Sequence, residues 1–296
     1  MTKRDAMPIL TIRHVTTYHY RQPVSFGEHR MMLRPRDDGD QKLVDLALDI
    51  SPKPSGLEWT HDGFGNHVAV VRFAGRASEL RFESTIWVDH APVPLCAEEI
   101  ADFAKSYPFA YLPDEAADLA RFMAQPPPEI ARWAAGFLRA DGSADTYALL
   151  VGMTQTIQRT FRHGARHQKG TREPQQTLQL AAGSCRDLAV LMIAGLHALG
   201  FAARFVSGYL NVADPDDDSI TGGNTHAWVQ VYVPGPGWVD CDPSTGTVGN
   251  ENLVRVAVVH QPNEAIPLEG TFMGSATDHL GMSVAVKVMA AADAAA

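Results

Sequence analysis

At 296 residues, with 45% hydrophobic and 20% charged side chains, the chain has the balance of an ordinary globular protein and enough length for a sizeable buried core. Its formal net charge of −9 disfavours non-specific attraction to nucleic acid or to an anionic membrane surface. No run approaches the ~20 apolar residues that a spanning helix needs.

The first ninety residues read as strands. Ile9 to Tyr20 and Leu43 to Ile50 alternate, and Val68 to Phe73 and Leu80 to Val88 continue the series between Pro- and Gly-rich turns. This pattern predicts a small antiparallel sheet or sandwich. The start Met-Thr-Lys-Arg has no apolar h-region after it, so no signal peptide is expected. Three widely spaced cysteines, Cys96, Cys185 and Cys241, cannot form a disulfide framework, and reduced thiols in the cytoplasm are the expectation.

After Ala91-Pro-Val-Pro the character changes. Helices are predicted over Asp114 to Met123, Glu129 to Arg139 and Ala144 to Phe161, with proline and glycine breaks between them. Arg162 to Lys169 is a basic run, read as an exposed loop beside a cleft. Strands return at Phe205 to Leu210, Thr225 to Val233, Trp238 to Cys241, Val254 to Val259 and Met282 to Met289. An α+β fold is expected, with residues 1–92 as an N-terminal β domain and residues 93–296 as a second domain. The Ala-rich tail is expected to fray.

Gly183-Ser184-Cys185-Arg186-Asp187 opens the most informative stretch. Ser184 and Asp187 have capping-box spacing. Leu188, Leu191, Met192, Leu196 and Leu199 form an apolar helical stripe, and Gly200 suits the C′ position. Cys185 therefore falls on the first residue of a helix, where free N–H groups and the macrodipole favour a thiolate and can hold a developing oxyanion. The competing reading is a small buried hydrophobe.

His226 opens a strictly alternating strand. Ala227, Val229, Val231 and Val233 form its apolar face, while His226, Trp228, Gln230 and Tyr232 form the other. Pro234-Gly235-Pro236-Gly237 must turn, and Trp238 to Asp242 alternates again. Keeping Val239 and Cys241 with the odd-numbered valines requires a hairpin loop with an odd number of residues, or a bulge. In that register His226 and Asp242 share a face, as a base and its orienting carboxylate must. Alone, Asp242 reads as a turn residue before proline, and Cys241 as core. Trp228 and Trp238 are candidates for lining a substrate cleft.

In this order the blocks resemble the transglutaminase-like superfamily, in its bacterial cysteine-protease branch with an extra N-terminal domain. They are Gly183 to Asp187, Ala203 to Tyr209, His226-Ala227-Trp228, Gly237-Trp238 and Asp242-Pro243-Ser244, with Thr171 ahead of them. Tyr18 to Pro23, Arg34-Pro35-Arg36 and Asp62 to Asn66 match in the N-terminal region. The resemblance implies a papain-like core (helices packed on an antiparallel sheet) behind a β-sandwich-like domain. It also implies a Cys185–His226–Asp242 triad, with Tyr209 and Asp187 joining the two tryptophans as substrate-binding candidates. Ser184 stands where the family usually has a larger apolar residue, and Val258 to Asn263 replaces a Gly-Arg-Asp-Tyr-like segment.

The chemistry so implied is hydrolysis or transfer of an amide-linked acyl group through a thioester, on a peptide, protein or isopeptide-containing polymer, with no cofactor. Glutamine transamidation and a catalytically silent binding scaffold are the alternatives. The Cys, His and Asp spacing lacks the paired pattern of a zinc site. The acidic run Asp214 to Asp218 lacks the glycine and closing glutamate of a calcium loop and reads as solvated. Neither nucleic acid nor membrane is an expected partner; the oligomeric state is open, a homodimer included.

Overall fold

The computed structural model describes residues 9–164, 166, 170–211 and 225–290. The acidic run at 214–218, residues 167–169 of the basic run and the tail from 291 lie outside them. Among the described residues no helix is long and apolar enough to cross a membrane.

Five strands come first: β1 (Leu10–Met31), β2 (Gln41–Ser51), β3 (Gly56–His61), β4 (His67–Arg72) and β5 (Arg76–His90). They form an antiparallel sheet in the order β2-β5-β1-β4-β3. β1 is long enough to serve both ends of the sheet. Tyr20, Val24, Phe26 and Met31 from it pack with Leu80 and Phe82 of β5 and Val71 of β4 into one apolar cluster. The β-rich N-terminal unit is thus present as expected.

The helices follow. β6 (Ser106–Tyr107) precedes α1 (Pro113–Leu119) and α2 (Pro128–Ala135); β7 (Ala144–Asp145) precedes α3 (Thr146–Thr160). α1 and α2 open on proline, which loses nothing at a position where the N–H has no helical partner. Both are shorter than their sequence pattern, and Gly136 ends α2. β8 (Arg162–His163), α4 (Pro174–Leu180) and β9 (Ala182–Gly183) lead into α5 (Cys185–Ala198).

α5 ends as its glycine requires. Gly200 sits at φ +77, its N–H donates to His197, and the N–H of Phe201 donates to Leu196, the two bonds of a Schellman motif. The stripe Leu188, Leu191, Met192 and Leu196 is buried against Val229, Val231, Val233 and Phe205. Each such side chain contributes roughly 1.5–3 kcal/mol. Those residues belong to a second antiparallel sheet: β10 (Ala203–Leu210), β11 (His226–Val233), β12 (Gly237–Asp242), β13 (Thr247–Val248) and β14 (Leu253–Val259), in the order β13-β12-β11-β10-β14.

The last two strands correct the expected domain division. β15 (Leu268–Met273) and β16 (His279–Ala290) both pair with β1, so residues 268–290 belong to the N-terminal sheet and not to the second domain. β16 runs beside β1 from Leu10 to Tyr20 and satisfies backbone groups along an edge that would otherwise stay open. Alternation foretold the strand at 282–289 but carries no information about its partner.

The edge of the second sheet is closed differently. Asn66 donates to the carbonyl of Val258 at 2.8 Å and accepts from its N–H at 2.9 Å. Gln41 does the same at Arg255, with both bonds at 2.8 Å. Two amide side chains of the N-terminal region thus stand in for a neighbouring strand on β14. Beside them Arg255, 3% exposed, binds Asp240 at 2.8 Å, Asp38 at 3.3 Å and Asp40.

Candidate active site

Cys185 is the first residue of α5, half-buried, with Ser184 as N-cap. The Asp187 carboxylate accepts the Ser184 N–H and the Ser184 hydroxyl, each at 2.9 Å. It also accepts the Arg172 N–H at 2.8 Å and Arg166 Nε at 3.1 Å. Burial works against the charge of Asp187, but these donors outweigh it and hold its pKa below the ordinary value. Gly183 is required here, because a Cβ would lie 2.7 Å from that of Asp187. The start of the helix is therefore fixed, and the N–H groups of its first turn are left to the space around the sulfur.

The β11–β12 hairpin pairs Val229 with Cys241, Val231 with Val239 and Val233 with Gly237, so the loop is the three residues 234–236. An odd loop keeps the parity that the apolar pattern demanded, and His226 and Asp242 become diagonal neighbours on one face. His226 Nε2 lies 2.8 Å from Asp242 Oδ2, and neither side chain is exposed. Asp242 is held in turn by the Ser244 N–H and the Thr245 hydroxyl, each at 2.8 Å. Because Nε2 is committed, the other nitrogen of His226, Nδ1, is the one free to serve the sulfur. It is buried and has no full hydrogen bond of its own.

Charge is distributed accordingly. Burial disfavours a thiolate at Cys185, but interactions with His163 and His226 overcome it and bring the thiol down to about 6. Burial likewise disfavours imidazolium at His226, and the Asp242 charge and hydrogen bond reverse this, raising it to about 10. Asp242 is held below the ordinary carboxylate value against its own burial, chiefly by the His226 charge. The arrangement stabilises a thiolate, an imidazolium and a carboxylate in series, which suits nucleophilic attack on a carbonyl.

Three of the four proposed substrate-binding residues have internal duties instead. Trp228 is fully buried and donates its indole N–H to Asp240 at 2.6 Å. Tyr209 is 1% exposed and meets His14 Nδ1 at 3.1 Å. Asp187, 0% exposed, is the cap just described. Tyr209 packs with Leu10, Ile12, Ile86 and Val88 of the N-terminal sheet, and Trp228 with Val206, Leu210, Leu253 and Val258 of its own sheet. Trp238 is partly exposed, edge-on to Phe122 and under the Arg204 guanidinium at 4.0 Å. It stands four residues along β12 from Asp242, about 13 Å away.

His163 was missed by sequence reasoning, which assigned it to an exposed loop. It is half-buried, paired beside Gly183, and interacts with the Cys185 thiol. The signal that could have found it is alternation with Phe161, a core residue two positions earlier.

Comparison with known proteins shows which families the two parts of the chain resemble. Residues 10–89 match the bacterial transglutaminase-like N-terminal region, and residues 131–243 match the transglutaminase-like superfamily. The uncharacterized protein Rv2569c of Mycobacterium tuberculosis is 28% identical over 282 residues, covering 88% of this chain and 86% of its own length. The uncharacterized protein YebA of Bacillus subtilis is 37% identical over 71 residues, 22% of this chain and 10% of YebA. Among solved structures, a candidate cysteine protease from Cytophaga hutchinsonii superposes with a TM-score of 0.71 at 19% identity, covering 95% of this chain and 91% of that one. That similarity is one of fold.

Proposed function

This chain belongs to the transglutaminase-like superfamily, and from that premise we propose that it is a cysteine-dependent amide or isopeptide hydrolase or acyl transferase with Cys185 as nucleophile. The observation that carries the reading is the buried Asp242–His226 pair beside a cysteine at a capped helix start.

In the proposed cycle the Cys185 thiolate attacks the carbonyl carbon of a peptide-like substrate. The tetrahedral oxyanion is received by first-turn N–H groups of α5, that of Cys185 among them. His226 passes its proton to the leaving amine as the C–N bond breaks, and a thioester remains on sulfur. His226, now neutral, takes a proton from water or from an amine. The resulting nucleophile attacks the thioester, and the thiolate departs to restore the ion pair. Water yields a carboxylic acid and an amine yields a new amide. We place hydrolysis first, on the resemblance to bacterial relatives.

The test is a panel of fluorogenic peptide amides and isopeptides assayed with and without a competing amine. Turnover that Cys185→Ala reduces by about 10⁴-fold or more, at unchanged thermal stability, supports the reading. Turnover that survives Cys185→Ala overturns it.

A further inference from the structure

β8 has only two residues, yet its position is well determined. It pairs in parallel with β9, placing Arg162 opposite Ala182 and His163 opposite Gly183. Backbone bonds flank the pair: the Arg162 N–H donates to Ala181 at 2.8 Å, and the Gly164 N–H donates to Gly183 at 3.1 Å. Phe161, just ahead, is 8% exposed and anchored in the core around α3 and α5. Side chains alternate along an extended segment, so Phe161 and His163 point to one side and Arg162 to the other. Arg162 is accordingly exposed and His163 half-buried.

This places the imidazole of His163 alongside the residue two positions before the nucleophile, and Gly183 opposite it has no side chain to fill the space. The backbone pairing sets His163 beside the helix start that carries Cys185, on the β8 side, and its interaction favours the thiolate there, while His226 addresses the sulfur from β11. His226 is tied to a carboxylate and suited to moving protons. Among the described residues no carboxylate pairs with His163, so it is suited to a different task.

We propose that His163 is a second catalytic histidine, donating a ring N–H to the Cys185 sulfur so that the thiolate has a fixed hydrogen bond besides its partnership with His226. The proposal rests on the function proposed above. Its chemical consequence lies in the second half of the cycle. A thiolate with an additional donor is a better leaving group, which favours collapse of the tetrahedral intermediate toward free enzyme. It is also a slightly weaker nucleophile, so attack on the amide gains less than deacylation does.

The experiment compares wild type, His163→Phe and His163→Gln by the pH dependence of iodoacetamide alkylation at Cys185, with thermal unfolding as the control for folding. Phe keeps the ring volume and removes the donor, so a purely packing role would leave the alkylation profile unmoved. The proposal expects the Phe variant to shift the midpoint upward by about one pH unit, the effect of one lost hydrogen bond to a charged group. Gln, with a neutral N–H, should restore part of that shift. A Phe variant that folds and keeps the wild-type midpoint overturns the role of His163 while leaving Cys185 as nucleophile intact. A wild-type midpoint at the ordinary thiol value overturns both readings.

Discussion

Asp242 Oδ2 and His226 Nε2 are 2.8 Å apart with both side chains out of contact with solvent, and their meeting depends on a hairpin loop of three residues. Change that loop by one residue without a bulge, and the histidine and carboxylate would lie on opposite faces of the sheet. Asp242→Asn keeps the shape and removes the charge that sustains imidazolium. We expect kcat to fall by roughly 10²–10⁴-fold, with a much smaller change in KM. Steady-state kinetics on any responsive substrate checks this; an Asn variant with more than half of wild-type kcat would contradict it.

The pH profile follows from the same pair. The thiol is depressed to about 6, so the thiolate is present above that value. The imidazolium is raised to about 10, so it is present below that value. Activity should form a broad plateau between these limits, which belong to the coupled pair rather than to either residue alone. Asp242→Asn should draw the alkaline limb downward, because the Asp242 charge is what offsets burial at His226. Measurement of kcat/KM across pH on wild type and variant decides it.

The junction between the N-terminal region and the second sheet supplies a stability prediction. Arg255 is surrounded by the buried Asp240 and the partly exposed Asp38 and Asp40. Arg255→Met leaves Asp240 buried and charged against only the Trp228 and Gln230 side chains. Breaking one side of a buried pair typically costs about 3–5 kcal/mol. Urea unfolding should show that loss, and adding Asp240→Asn should recover part of it.

Acid should weaken the same junction through His14. Its ring is buried between Tyr209 and Thr16, and burial lowers its pKa to about 4. The folded state holds His14 neutral where the unfolded chain, at about 6.5, has begun to bind a proton. Stability therefore falls as pH drops from about 6.5 to about 4 and levels off below. His14→Gln should flatten part of that slope in unfolding experiments between these pH values.

Much of this was legible in the sequence, for identifiable reasons. Cys185 announced itself through Ser184, Asp187 and Gly200, which mark the ends of a helix locally. The His226–Asp242 geometry followed from parity, because Val239 and Cys241 had to stay with the odd-numbered valines. What was not legible depends on long-range docking. Trp228 and Tyr209 are covered in the folded chain, Tyr209 by Leu10, Ile12, Ile86 and Val88 of the N-terminal sheet and Trp228 by residues of β10 and β14. β16 reads as a strand, but only the folded chain shows that β1 is its partner. His163 lies in a two-residue strand, where only its alternation with the buried Phe161 hints at its place.

Cys185 is proposed to be an activated thiolate, and the molecule contains its own reference in a buried thiol. Cys96 is exposed, whereas Cys241 is buried and its thiol is pushed up by burial. Site-resolved alkylation of the native protein across pH, read by peptide mass mapping, compares all three in one sample. Cys185 should react with a midpoint near 6, while Cys241 stays unmodified. Alkylation of Cys185 that begins only near the ordinary thiol value of about 8.5 would contradict it.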